Sequence, residues 1–224
     1  MFALSAVEVI ERAIGGVESR RVLLEELLEG EKTGLQLRYA LAKSFGVTLD
    51  EVSDARLYHN ISQLEEAGLI RRRREWKDKF AEIIPQMVQP VRDYLGIKAQ
   101  VMYIGALEDD PYVIRRVRQV LLDNSRVKPV SYLFLGTDSV KGKVSGLTED
   151  VQIMVLPDRI INYSFDGVYE AVRVEVEKYL RKHEIVFDVT CGSRFTAMAF
   201  YGLAHEYGCK CFYIMDDNRL IWIK

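Results

Sequence analysis

The sequence predicts an α/β chain in two parts: a helical first part that ends in a charged β-hairpin, and a second part built around one mostly parallel sheet. Three observations carry this. Apolar residues recur at helical spacing from about residue 18 to 68, and the period then switches to two short strands between 69 and 84. Beyond residue 96, continuous apolar runs alternate with amphipathic helical stretches. Strands that are apolar throughout, rather than alternating, belong to a sheet covered on both faces.

In "ESRRVLLEELLEGEKTG" (18–34), Val22, Leu23, Leu27 and Leu28 form one stripe, and Gly30 and Gly34 punctuate its end. "LQLRYALAKSFG" repeats the pattern with Leu37, Ala40, Leu41 and Phe45 and stops at Gly46. A third helix starts near Ser53, carries Leu57, Ile61 and Leu64 on one face and is closed by Gly68. "LIRRRREWKDKFAEII" (69–84) then reads as two strands turning around Trp76 to Lys79, and Pro85 and Pro90 interrupt the chain. Residues 18 to 95 resemble a winged helix-turn-helix domain, with "ARLYHNISQLEEAGLIRRRR" as recognition helix and wing entry. The boundary falls near residue 96, giving domains over 1–96 and 97–224.

The second domain alternates strand and helix. "AQVMYIGA", "PVSYLFLGT", "VQIMVLP", "EIVFDVT" and "CKCFYIM" are the strands, with "RLIWIK" closing a final hairpin. "DPYVIRRVRQVLLDN" and "FDGVYEAVRVEVEKYLRKH" are helices, the second with Val168, Val172, Val176 and Leu180 on one side. A third runs from the corner after Thr190 to Tyr207. This order indicates a Rossmann-like, mostly parallel sheet.

Composition narrows the partners. A net charge of −2 excludes a wholly basic nucleic-acid coat, so DNA contact requires a local patch. Three cysteines, Cys191, Cys209 and Cys211, with no His or Cys partner at ligand spacing, imply neither a disulfide framework nor a metal site. No leader and no apolar run long enough to span a bilayer are present, so a cytoplasmic protein without a membrane partner is expected. Neither a G-x-x-x-x-G-K-[ST] loop nor a G-x-G-x-x-G turn occurs, which disfavours an NTPase or a dinucleotide enzyme.

Two places could carry chemistry. On the third helix, Ala55, His59 and Ser62 lie opposite the apolar face and Arg56, Tyr58 and Gln63 flank them, as groove readers would. Arg71, Arg72, Arg73 and Arg74 would meet phosphates, although Glu65, Glu66, Glu75 and Asp78 support the other reading, a solvated hairpin. The second place is the corner "DVTCGSR" (188–194), where a strand enters a helix. Gly192 lets a ligand approach the backbone, Ser193 can cap the helix, and Arg194 is a forked cation suited to phosphate. The alternative is a plain cap, with Arg194 paired to a carboxylate such as Asp188.

The corner with "DVTCGSRFTAMAFYGLA", preceded by a stretch opening with "VMYIGALEDDP", resembles the CARF domain of CRISPR-associated proteins over about residues 98 to 224. That family's signature is an Asp-x-Thr-Gly-Gly-Thr-Lys-like corner; here Cys191, Ser193 and Arg194 replace its first glycine, second threonine and lysine. The resemblance implies a homodimer that binds a cyclic oligoadenylate across its interface as an effector, with no other cofactor. It implies that Gly105 and Ala106 line one wall, that Gly136, Thr137 and Asp138 lie at the same sheet edge, and that Thr190, Gly192, Ser193 and Arg194 contact ribose and phosphate. Some members carry a winged helix and respond to the ligand as transcription factors; here the winged helix comes first. The acids Glu108, Asp109 and Asp110 either repel a polyanion or open the next helix.

The expected function is therefore a DNA-binding transcriptional regulator, with double-stranded DNA, a cyclic oligonucleotide and a second copy of itself as partners. One alternative is a metal-independent ring nuclease that uses Ser193 and Arg194 to position the 2′-hydroxyl attack. The other is a protein-interaction module with a degenerate pocket.

Overall fold

A computed structural model describes residues 5–76, 78–107, 112–123, 127–144 and 149–223. The chain divides into two compact units, Met1–Lys98 and Ala99–Lys224.

The first unit runs α1 (Ala6–Ile14), α2 (Glu18–Leu28), β1 (Lys32–Thr33), α3 (Gly34–Phe45), α4 (Asp54–Glu66), β2 (Ile70–Glu75), β3 (Asp78–Ile83) and α5 (Pro85–Leu95). Leu57, Ile61 and Leu64 of α4 are buried as the helical period requires, and Ser53 caps the helix by accepting from the Arg56 amide. At the other end Gly68 adopts φ +74°, and the Leu69 amide reaches back to the Leu64 carbonyl. In α3 the inner residues are Leu37, Leu41 and Ala42, whereas Phe45 at its last position is exposed.

Three elements of this unit have weak sequence signals. Helix α1 is opened by a capping box, in which Ser5 and Glu8 bond reciprocally, and buries Ile10, Ala13 and Ile14 at helical spacing over only nine residues. Strand β1 is two residues long and pairs antiparallel with β3, making a three-stranded sheet of order β1-β3-β2. Helix α5 corrects the expectation that two prolines interrupt the chain. Pro85 occupies the first helical turn, where its missing N–H costs nothing, and the helix continues through Pro90 with Val88 and Val91 buried.

The second unit contains one six-stranded sheet. Its elements are β4 (Gln100–Ala106), α6 (Tyr112–Asp123), β5 (Pro129–Gly136), α7 (Asp138–Lys143), β6 (Val151–Val155), α8 (Asp158–Tyr163), α9 (Phe165–Tyr179), β7 (His183–Asp188), α10 (Arg194–Glu206), β8 (Lys210–Ile214) and β9 (Leu220–Trp222). The order is β6-β5-β4-β7-β8-β9, parallel except for β9, which pairs antiparallel with β8. The chain starts at β4, winds outward to β6, then returns to the other side of β4 as β7. That reversal makes the carboxyl ends of β4 and β7 the switch point, where sheets of this kind open a crevice.

Both sheet faces are covered. Tyr103, Phe134, Val186 and Phe212 pack with Ile114, Val117 and Leu121 of α6 in one core. Helices α9 and α10 pack against each other and against β7, burying Val168, Val172, Val176, Ala199, Phe200 and Leu203. The sheet is thus the mostly parallel Rossmann-like one that the continuous apolar strands predict. Among the described residues, no helix is long and apolar enough to cross a membrane.

Candidate functional site

At the switch point the corner after β7 meets the end of β4. Gly192 has φ +96°, and a Cβ there would lie 2.8 Å from that of Ala106 and within 3.3 Å of Thr196, so only glycine fits this turn. Ser193 caps α10, accepting from the Thr196 amide at 3.2 Å, while its hydroxyl donates to the Ile161 carbonyl of α8 at 2.5 Å. Thr196, itself buried, donates to the same carbonyl. Both hydroxyls therefore tie α10 to α8.

Beneath the corner sits a buried polar cluster. Asp188, 1% exposed, accepts from the Tyr103 hydroxyl and the Thr190 amide at 2.8 Å each, and from the Thr190 hydroxyl. The Thr190 oxygen in turn accepts from the Ile214 amide of β8 at 2.7 Å. Three strands are thus linked through one carboxylate. Burial pushes the Asp188 carboxyl above its usual range, against the opposing pull of the Thr190 and Tyr103 hydrogen bonds. Burial, reinforced by the neighbouring Asp188 charge, pushes the Tyr103 phenol well above its own.

This geometry redistributes the expected ligand contacts. Thr190 has committed its proton to Asp188 and works as a support. Gly105 is buried under Tyr103, where a Cβ would lie 2.1 Å from the phenolic oxygen, and Ala106 is buried against Gly192. Gly136 is likewise buried, against Val140 and Leu107, and Asp138 is exposed. Arg194, the first residue of α10, is exposed, and its guanidinium makes no hydrogen bond or ion pair with any described residue. Its pairing with Asp188 does not occur, because Tyr103 and Thr190 occupy that carboxylate. Glu108, Asp109 and Asp110 lie outside the described residues.

Beside the corner opens a cleft of about 430 Å³. Gly192 and Ser193 form one side, Thr137 and Ser139 after β5 another, and Asp158, Ile161 and Asn162 of α8 a third, with Leu107 and Val140 completing it. The Thr137 and Ser139 hydroxyls are 2.7 Å apart, and the Asn162 amide donates to Asp158 at 2.8 Å. Sequence reasoning finds Thr137, Gly192 and Ser193 but misses the α8 residues. A six-residue helix shows no period, and its one signal is Pro157 just before it.

In the first unit the arginine run proves to be cross-linked. Arg71 pairs with Glu82 at 2.7 Å, Arg72 with Glu65, and Arg73 with Glu31 through two hydrogen bonds of 2.5 and 2.7 Å and with Glu75 at 2.7 Å. Only Arg74 of the four has no carboxylate among the described residues; its guanidinium donates to the Trp76 carbonyl. On α4, His59 is exposed, Ser62 accepts from Arg72, and Gln63 donates to Glu66. Arg56 reaches Ser19 and lies over Phe45, and Lys79 covers the half-buried Tyr58 ring.

No protein-family model matches the chain, and no curated protein does. Among solved structures it is similar to Can2 from Sulfobacillus thermosulfidooxidans in complex with cyclic tetra-adenylate, at 13% identity over 55% of this chain and 35% of that one, TM-score 0.42. It is similar to VC1899 from Vibrio cholerae at 19% identity over 55% and 33%, TM-score 0.42. It is also similar to H. salinarum RosR at 19% identity over 48% and 92%, TM-score 0.32. The aligned part spans about a third of the Can2 and VC1899 chains.

Proposed function

We propose that the second unit is a CARF-type sensor of a cyclic oligoadenylate or related nucleotide. On this reading the first unit is a winged helix-turn-helix that passes the signal to double-stranded DNA in a cytoplasmic transcriptional regulator. One observation carries the sensor part. Arg194 stands exposed and unpaired among the described residues, at the helix end where a cation is electrostatically unfavourable, beside a cleft at the switch point. An incoming phosphate satisfies it. A homodimer is part of the proposal, because Phe195, Met198 and Tyr201 expose an apolar strip at helical spacing on α10, and a ring with two-fold symmetry suits an isologous pair. Binding without cleavage is favoured over a ring nuclease, since the Ser193 hydroxyl is spent on Ile161.

Calorimetric titration with cyclic tetra-adenylate and cyclic hexa-adenylate tests the sensor, with chromatography of the mixtures to detect linear products. No heat with either ring removes it. A second reading concerns the first unit alone. Carboxylate pairing of Arg71, Arg72 and Arg73 favours a surface that meets protein rather than DNA. Filter binding to random duplex at low salt, with and without the ring, separates the two.

A further inference from the structure

We infer that the cleft is a nucleobase subsite, and that Asp158 together with Asn162 selects a base edge carrying an exocyclic amino group. The inference rests on the nucleotide-sensing reading above and adds the part of the ligand that the cleft takes. Among the described residues lining it there is no lysine or arginine, and Asp158 contributes a carboxylate. A phosphate placed there would meet a negative charge without a cation, so phosphate belongs at Arg194, outside the cleft. The walls are instead those of a pocket for a flat, polar-edged ring. Leu107, Val140 and Ile161 supply apolar surface, and hydroxyl, amide and carboxylate groups converge on it.

Hydrogen-bond inventory then fixes the edge. The Asn162 side-chain amide spends one N–H on one Asp158 oxygen. Within this pair the second Asp158 oxygen and the Asn162 oxygen remain as acceptors against a single Asn162 N–H, while the paired Thr137 and Ser139 hydroxyls across the cleft add one further O–H. An amino group brings two donors to two acceptors. A 6-oxo purine in the same pose turns an acceptor toward a carboxylate and keeps only its N1–H as a donor, so one of the two oxygens is left without a ligand donor. The same pair explains why a carboxylate is tolerable beside a phosphate-binding corner: it reads a part of the ligand that carries no charge.

The test uses the full chain and two rings that differ only at this edge, cyclic tetra-adenylate and cyclic tetra-inosinate, titrated by calorimetry. Wild type is expected to favour the adenylate ring by about tenfold or more, the scale of one hydrogen bond to a charged group. Asp158→Ala brings the ratio close to one. Asp158→Asn, which keeps the shape and can turn an N–H toward a 6-oxo group, moves the preference toward inosinate. Arg194→Ala weakens both rings alike and leaves the ratio standing. If wild type binds both rings equally, or if neither Asp158 variant changes the ratio, this inference falls and the sensor reading survives. If wild type binds neither ring, both fall together.

Discussion

The four consecutive arginines of β2 and the single arginine opening α10 place cations on the surface of a chain of net charge −2 in opposite ways. Along β2, Arg71, Arg72 and Arg73 each find a glutamate, and the partners come from α4, from β3 and from the segment before β1. The Arg72 pair ties the hairpin to α4, the Arg73 pair ties it to the segment before β1, and the Arg71 pair joins its two strands. At the corner, the carboxylate of Asp188 is buried and held by Tyr103 and Thr190, and among the described residues Arg194 has no carboxylate partner. A run of like charges is the louder sequence signal, yet its charges are mostly balanced internally. Among the described residues the isolated cation has an unmet requirement, and an unmet requirement is the better pointer to a ligand.

Four experiments break or sharpen this contrast. The largest effect is expected at Gly192, because the corner is held by its backbone and not by ion pairs. Gly192→Ala must place a side chain in the left-handed region and against Ala106, and should cost about 2 to 4 kcal/mol of stability by chemical denaturation. A loss below about 0.5 kcal/mol would show that the corner adapts freely. Next, Arg194→Ala should lower affinity for cyclic tetra-adenylate by about 1.5 to 3 kcal/mol per site, with the thermal midpoint of the free protein unchanged or slightly raised. A fall in midpoint with unchanged affinity would mean that Arg194 serves the fold.

A smaller effect concerns Asp188. Its carboxyl is pushed up by burial, so the protonated form favours folding, and that contribution is lost as pH rises from the ordinary carboxylate range through the raised value. Asp188→Asn removes the titration. The midpoint of the variant relative to wild type should therefore climb as pH rises above the ordinary aspartate range, and a constant difference would refute the assignment. The smallest effects are expected on the β2–β3 hairpin, if it meets DNA as proposed. Arg74→Ala should reduce the salt slope of duplex binding by about 1, whereas Arg72→Ala should change it less, its charge being spent on Glu65. Glu65→Gln, by releasing Arg72, should tighten binding to every duplex alike. Equal slopes for both arginine variants would mean that carboxylate pairing does not matter in the complex.

Much of the fold was legible because burial imposes a period. The α4 face, the strands from β4 to β8 and the valine row of α9 all follow from spacing alone. Helix α5 was not, since Pro90 reads as a breaker although packing of Val88 and Val91 holds the helix together. At the site, Gly192, Ser193 and Arg194 could be found from letters, because a strand-to-helix corner is local. What each of them touches could not. Ser193 meets Ile161, 32 residues away, Arg73 meets Glu31, 42 away, and Tyr103 meets Asp188, 85 away. Such contacts are products of topology, and no local pattern encodes them.

The crowding of Gly105 by the Tyr103 hydroxyl also constrains how the sequence can drift. While tyrosine occupies position 103, any side chain at 105 must displace a ring that is 1% exposed and bonded to Asp188. Phenylalanine would keep the ring carbons that also crowd this position, at 2.5 and 2.7 Å, so only a residue smaller than the ring removes the obstacle, and with the ring goes the proton held against that carboxylate. The two positions can therefore change in one order only, tyrosine first, and the intermediate that has lost the tyrosine alone must tolerate a buried acid short of one donor. A lineage that crosses this step has to supply Asp188 with another partner or lose its charge, so positions 103, 105 and 188 are expected to vary together or not at all.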